Sequence, residues 1–431
     1  MRSPRLRVVI PLLAVFSAGC GEDVSGVPPS TTEVRSSHAR VTTAPEASDL
    51  AAVRSANVSF ALDLHRAVAT AGSNLVLSPY SVSTALAMTW IGARNGSASR
   101  MRAAMRLPAA MEPSRVHLAY NALDRAFAAQ SSQPPSTESP RPARIRLANA
   151  LWAQRGYPFQ PPFLDTLAEQ YGAGVHVTDF ATAPDPSRLA INAWVSERTL
   201  GRIPSLLAPG TITGDTVFVL TNAVHFAAGW YRTFDASRTA PADFHVSETS
   251  TVRVPTMNAS ARLPYAEGDG WKAVSLAYQG GDLSMLVVVP DAGRFSAFER
   301  DLTAERFESI GAMASEHIVT LALPKFSFRS QASLSAALGA MGMAEEFRGG
   351  VADFSGVDGT RRISLRDVVH EGFIAVDENG TEAAAATAVI GEVTSAPPPA
   401  TLVVDRPFLF AIRSASGGML FLGRVMNPAA S

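Results

Sequence analysis

One cysteine, Cys20, is all the thiol chemistry this 431-residue chain has. No intramolecular disulfide can form, so a disulfide-stapled scaffold is excluded and stability must come from a buried core. Lysine is almost as scarce, with only Lys272 and Lys325, so nearly all positive charge is arginine. Charged residues make up 17% of the chain, and 37 basic against 38 acidic residues leave a formal net charge of -1. That balance excludes a basic nucleic-acid surface. With 47% hydrophobic residues, the chain can bury a large core.

The motifs of common enzymes are missing too. There is no Gly-x-Ser-x-Gly elbow, no Ser-x-x-Lys pair, no P-loop and no complete His-Glu-x-x-His, although His370-Glu371 begins one. The eight histidines are scattered, so no metal site or cofactor is expected and the protein reads as no enzyme.

The N-terminus carries a targeting signal. Arg2, Arg5 and Arg7 precede the apolar run Val8 to Phe16, followed by Ser17-Ala18-Gly19-Cys20. A basic start, a short apolar stretch and small residues make a secretory signal over residues 1–19. The run is too short, and interrupted by Pro11, to span a bilayer. Cys20 directly after the small residues resembles a bacterial lipobox, which implies that Cys20 becomes the lipidated first residue, despite Ser17 where leucine is usual. An ordinary cleaved signal with an incidental cysteine is the other reading. Residues 20–48, rich in Ser, Thr and Pro without apolar periodicity, read as a flexible tether. The protein is therefore expected in the cell envelope, lipid-anchored outside the cytoplasm, or secreted. The lipid is its sole membrane contact in this reading.

Downstream, apolar spacing predicts a helix over Leu50–Ala69, and Ser78-Pro79 starts another running through Val82–Ile91. Gln130–Pro142 is a polar, Pro-rich surface loop. Strand-like runs cover Ile145–Trp152, Val217–Phe226, Leu283–Pro290 and Ile318–Phe328, and helical spacing covers Pro186–Thr199 and Gln331–Met341. Without regular βαβ alternation, this mixture favours α+β with large antiparallel sheets.

Near the C-terminus, Glu382-Ala383-Ala384-Ala385-Ala386 is a helix-forming stretch by propensity. It is followed by Val389-Ile390 and by Pro397-Pro398-Pro399, which no helix can continue through. Local propensity alone reads this as a short helix running into a proline-rich linker.

A resemblance changes that reading. Asn74-Leu-Val-Leu-Ser-Pro-Tyr-Ser81, Ile191-Asn-Ala-Trp-Val195, Leu220-Thr-Asn-Ala-Val-His-Phe226 with Gly229-Trp230, Leu323-Pro-Lys-Phe326, Ala352-Asp-Phe-Ser-Gly356, Val369-His370 and Asp405-Arg-Pro-Phe-Leu-Phe410 to Asn427-Pro428 resemble, in order, the conserved blocks of the serpins. Asp377–Ala388, DENGTEAAAATA, resembles their reactive-loop hinge. The resemblance covers roughly residues 50–428. It implies a serpin domain over 49–431: three β-sheets, about nine helices and an exposed reactive-centre loop at about 378–400. It implies suicide inhibition of a serine protease, in which the cut loop enters the central sheet as a strand while the protease stays covalently bound as an acyl-enzyme. A monomer is expected, and no basic cluster suggests a heparin-like partner, Arg102 and Arg106 being sparse.

Within that resemblance, Glu378, Gly380, Thr381, Glu382 and Ala383 to Ala386 form the hinge. Ser78, Ser81, Asn222 and His370 match the shutter beneath the central sheet, and Trp230 and Glu378 match the breach where the loop enters. Strand alternation then gives the alanine run a purpose. With Thr381 inward, Ala383, Ala385 and Thr387 share its small, uncharged face, and Glu382 falls on the solvent face. Gly380 supplies a pivot. His225, Ala227 and Gly372 depart from the usual family residues.

Counting from the hinge sets the reactive bond at Thr394-Ser395, while counting back from Pro407-Phe408 gives a point near Ala396. The hinge count is preferred because strand length sets how far the protease travels, roughly 50 Å from Glu378 to Thr394 at about 3.3 Å per residue. No Lys or Arg lies between Gly380 and Val404, which excludes trypsin-like targets and favours elastase- or subtilisin-like enzymes. A non-inhibitory serpin acting as a binding or chaperone-like protein is the alternative. Such members usually carry charged, bulky or proline residues in the hinge, and this hinge has none.

Overall fold

The computed structural model describes residues 31–137, 139–382, 397–415 and 418–430. Cys20, the signal segment, Ala383 to Ala386, Thr394 and Ser395 lie outside the described residues.

In chain order the strands are β1 (Thr32–Val34), β2 (Leu75–Leu77), β3 (Arg144–Gln154), β4 (Val175–Thr178), β5 (Phe218–Gly229), β6 (Ala240–His245), β7 (Thr251–Gly268), β8 (Trp271–Ala277), β9 (Leu283–Pro290), β10 (Ser315–Pro324), β11 (Phe326–Ser333), β12 (Val368–Asp377), β13 (Gly380–Thr381), β14 (Pro399–Val403), β15 (Phe408–Ser414) and β16 (Met419–Val425). The first six helices are α1 (Ala47–Val68), α2 (Pro79–Trp90), α3 (Asn95–Ala104), α4 (Pro113–Ser131), α5 (Pro161–Thr166) and α6 (Pro184–Arg198). No helix among the described residues is long and apolar enough to cross a membrane.

The strands form two hydrogen-bonded networks. One runs β1-β4-β3-β5-β13-β12-β11. The other runs β14-β10-β7-β8-β9-β15-β16-β2, with β6 on β7. The resemblance implies three sheets, and β7 explains the difference. It is 18 residues long, pairs with β6 and β10 along most of its length, then continues from Tyr265 to Gly268 against β8. Two of the three sheets are thereby joined in one ladder.

The core follows from the strand sequences. In β9, Met285, Val287 and Val289 pack into one apolar cluster and Leu286 and Val288 into another, on opposite faces. A strand covered on both faces reads as a continuous apolar run, as LSMLVVVP does. Helix α2 is buried along all twelve residues. Pro79 occupies its first turn, and the Ser78 side chain caps it by accepting from the Ser81 N–H. On the outer face of the first sheet, Ile191 and Val195 of α6 pack with Ala148, Trp152, Val219 and Ala223.

Three sequence expectations need correction. The run Ile318–Phe328 is two strands that meet at Lys325 and pair in different sheets, β10 with β7 and β11 with β12. Gln331 to Ser333, read as the start of a helix, finish β11, because Ser333 still pairs with Val369 of β12. The tether over 20–48 does not extend to residue 48. Thr32–Val34 is a strand on the edge of the first sheet, and the chain up to Thr42 is fastened to its flank.

Candidate functional site: the hinge and the sheet it enters

Strands β5 and β12 run parallel and pair from Val368↔Leu220 to Gly372↔Val224. Beyond that point they part. The chain leaves β12 at Asp377, turns, and returns as β13 between the two, with Thr381 opposite both Val376 and Ala228 and Gly380 opposite both Asp377 and Gly229. The first two residues of the hinge strand are thus already paired in a slot between β5 and β12. Gly380 is required by contact as well as by freedom: with φ at 156°, a Cβ there would drive into the Ala228 carbonyl oxygen.

The Thr381 side chain points inward, is 1% exposed, and meets the Tyr278 hydroxyl at 2.6 Å. Tyr278 stacks on Trp230, centroids 4.6 Å apart and planes at 12°. Trp230 is fully buried and clamps the turn from both ends. Its indole N–H donates to the Asp377 carbonyl at 2.9 Å, and its backbone N–H donates to the Asn379 carbonyl at 2.8 Å. Glu378 accepts from Lys325 Nζ at 2.7 Å and from the Thr239 hydroxyl at 2.8 Å. Burial alone would raise the Glu378 carboxyl; the hydrogen bonds from Lys325, the backbone and Thr239 outweigh it and hold the group below the usual carboxylate range.

Glu382 departs from the expectation of a solvent-facing carboxylate. Its side chain is only 11% exposed and is ion-paired with Arg202 and bonded to His225 Nε2. Alternation does turn it away from the core, but that outer face is covered here by the chain that follows α6, where Arg202 sits. Its φ of 55° is left-handed, so the strand stops at Thr381.

Lower in the sheet, Ser78, Ser81, Asn222 and His370 come together in one buried cluster. His370 and Asn222 are register partners across the β5–β12 seam, and His370 Nδ1 bonds Asn222 Oδ1. The Ser78 N–H donates to His370 Nε2 at 3.0 Å, which fixes the neutral tautomer with its proton on Nδ1. Ser78 Oγ donates to the Leu420 carbonyl at 2.7 Å. Asn222 Nδ2 donates to Ser81 Oγ and to Asn149 Oδ1, both at 2.8 Å, and Ser81 Oγ donates to the same Asn149 oxygen at 2.7 Å. The cluster therefore ties β12, β5, β3, α2 and β16 together. Burial lowers the His370 imidazole to about 4, against a smaller opposing effect from the Asn222 hydrogen bond.

Sequence reading missed Asn149, Tyr278, Lys325 and Arg202. Asn149 carried a usable signal: an amide inside the apolar run Leu147-Ala-Asn-Ala-Leu-Trp152 must find partners if the strand is buried. Lys325 stood inside the block Leu323-Pro-Lys-Phe326 with no role given to it, while Tyr278 and Arg202 are brought in from distant segments with no local pattern to mark them. Among the described residues, no group of three or more His, Cys, Asp or Glu side chains is arranged to hold a metal ion.

Comparison with known proteins gives a consistent answer. The family model described as serpin (serine protease inhibitor) matches residues 55–428. An uncharacterized serpin-like protein of Thermococcus kodakarensis is 36% identical over 439 residues, covering 98% of this chain and 99% of that protein. The leukocyte elastase inhibitor of Bos taurus is 34% identical over 385 residues, covering 86% of this chain and 98% of the relative. The crystal structure of human glycosylated kallistatin superposes with a TM-score of 0.76 at 28% identity, covering 89% of this chain and all of that one.

Proposed function

This chain belongs to the serpin family, and from that premise we propose that it is an inhibitory member, which traps serine proteases by loop cleavage and insertion. The observation that carries the reading is the slot: β5 and β12 part above Gly372, and Gly380-Thr381 is seated between them with the Thr381 side chain buried. A strand that begins there can lengthen residue by residue without new topology. The following inward positions, Ala383, Ala385 and Thr387, are small and uncharged, so each can enter a buried face at little desolvation cost. Loop insertion is then an order–disorder switch between two packings of one sequence.

In this reading the protease attacks the Thr394-Ser395 bond and is held as its acyl-enzyme while the loop inserts. The shutter cluster gates the parting of β5 and β12, and Trp230 with Glu378 holds the entry point. The target class follows from the loop's lack of cations and from Val393-Thr394, which suit an elastase- or subtilisin-like pocket. Similarity to a protein named leukocyte elastase inhibitor supports that class. The same proposal has Cys20 lipidated and the domain held at the cell envelope through it.

The decisive experiment is incubation with elastase or subtilisin followed by a denaturing gel. A complex that survives SDS, a new N-terminus at Ser395, and a large rise in melting temperature after cleavage are the expected results. Clean loop cleavage without complex would assign the protein to the non-inhibitory members. A stable trypsin complex with none from elastase or subtilisin would overturn the target class. Metabolic labelling with a fatty acid, lost in Cys20→Ser, checks the anchor.

A further inference from the structure

The segment before α1 is built onto the molecule as a strap. Thr32, Glu33 and Val34 pair antiparallel with Val177, His176 and Val175 of β4, adding a strand to the outer edge of the sheet that holds the slot. Gly174 makes the approach possible, since a Cβ there would lie 2.5 Å from the Val34 carbonyl oxygen. Beyond the strand, Ser36 Oγ donates to Asp165 at 2.6 Å and the Val41 N–H to the Glu169 carbonyl at 2.8 Å, tying the strap to α5 and to the segment that follows it. Arg40 then reaches α4, donating to Asn121 Oδ1 at 2.9 Å and to Asp124 at 2.8 Å. Asn121, fully buried, donates back to the Val41 carbonyl at 2.8 Å, and Arg125 donates to the Thr42 carbonyl at 2.8 Å.

The position of these bonds relative to the slot gives them a mechanical consequence. β1, β4, β3 and β5 form one side of the slot and β12 and β11 the other. The strands are already apart between Gly372 and Val376, so the first residues beyond Thr381 can seat there; seating the rest requires the five pairs from Val368↔Leu220 to Gly372↔Val224 to separate, which displaces one side against the other. The strap fastens the outer strand of the β5 side to α4, which is bonded to β3 through Ser131 and also packs against α1, outside the sheet. Displacement therefore works against the strap's bonds as well as against the seam. The uncut loop continues into β14, which pairs with β10, so its full insertion also requires that strand to leave the second sheet; the strap adds a second restraint on how long the loop stays available.

We propose that residues 32–42 act as a clamp that holds the first sheet closed and slows insertion of the uncut loop, keeping the protein in its active form. Release of the strap is then a means of switching the protein off without proteolysis of the loop. The proposal rests on the inhibitory reading above.

The test uses the chain without its first 20 residues, in four forms: unaltered, the double variant Arg40→Ala/Asn121→Ala, a chain beginning at Thr43, and Arg115→Ala as control. Arg115 also lies on α4, but its bonds at 2.7 and 2.8 Å go to Asp49 of α1, away from the sheet edge. Each form is held without protease at a fixed temperature below its melting point. Insertion is read as conversion, with chain mass unchanged, to a species that resists urea and no longer forms protease complexes. Both strap forms are expected to convert at least tenfold faster than the unaltered chain and Arg115→Ala. The double variant carries the test if the shortened chain does not fold. The proposal is overturned if the strap forms melt lower but convert at the unaltered rate, or if Arg115→Ala converts as fast as they do. A parallel sample cut in the loop with subtilisin separates the two ideas: if even the cut chain gains no urea resistance, the inhibitory reading itself fails and the clamp with it.

Discussion

Acid should weaken this protein through its buried histidines, His370 and His117 above all, at a pH above the range where most of its carboxylates titrate. His370 is fully buried, and its Nε2 already accepts the Ser78 N–H, so a second ring proton would face a donor with a donor. Burial lowers the imidazole to about 4, while an unfolded chain offers the ordinary value of about 6.5. The native form thus binds the proton less readily than the unfolded form. Stability from this group is complete above pH 6.5 and is lost as pH falls, levelling off below about 4. The gap of about 2.5 units corresponds to about 3 kcal/mol at saturation and about 2 kcal/mol by pH 5. His117, buried and lowered to about 4 by burial and then by Arg102, with Nδ1 2.7 Å from the Tyr171 hydroxyl, adds a similar amount.

The unaltered protein should therefore lose about 4 kcal/mol between pH 7 and pH 5, read from urea unfolding at each pH. His370→Gln keeps one donor and one acceptor without a titrating group, and should cut that loss by about half. Glu378 also contributes, but as a carboxylate held below its usual range its share is lost only as pH falls below about 4.3, in a separate window. An unchanged pH dependence in His370→Gln, or a His370 resonance titrating near 6.5 in the native protein, would refute the argument.

Thr381→Arg puts a cation where a side chain 1% exposed now meets Tyr278; burying it unpaired costs several kcal/mol, so the variant should be cut as a substrate with little or no SDS-stable complex. Asn149→Ala removes the acceptor that Ser81 and Asn222 share and should lower stability by about 1–3 kcal/mol, measured by urea unfolding; a neutral result would mean that the cluster is satisfied without it.

Much of the fold could be read because the signals were local or repeated. The capped start of α2 at Ser78-Pro79 lies in a few residues, and the apolar run of β9 reports burial on two faces. Motif likeness singled out Ser78, Ser81, Asn222 and His370, which the structure brings into one buried cluster; Thr381 was taken as inward, and alternation from it turned Glu382 outward. The failures share a physical cause: each depends on what lies above or beside the element. Alternation correctly turned Glu382 to the outer face but could not say that Arg202 and His225 cover that face. The strap has no apolar period because it is held by backbone pairing and arginine contacts, for which a polar segment serves as well as any. Gln331–Ser333 carry a spacing compatible with a helix, but pairing with β12 decided for strand.

The distribution of polar groups along the β5–β12 seam bears on how such a sheet can both hold and open. A seam closed by large interlocking apolar side chains would lose buried area with every pair that parted. Here the pair at the middle of the contact is His370 with Asn222, and the last pair before the slot contains Gly372, where a Cβ would crowd the Val76 carbonyl oxygen. Parting these strands breaks hydrogen bonds of about 1 kcal/mol net each, and an incoming strand offers backbone donors and acceptors to replace those of the ladder. Buried amides and a neutral imidazole are costly only when left without partners. The seam is therefore firm while closed, expensive at the instant of opening, and satisfied again once a strand has entered. Gly380 and Thr381, already paired on both sides, stand where the proposed insertion would begin.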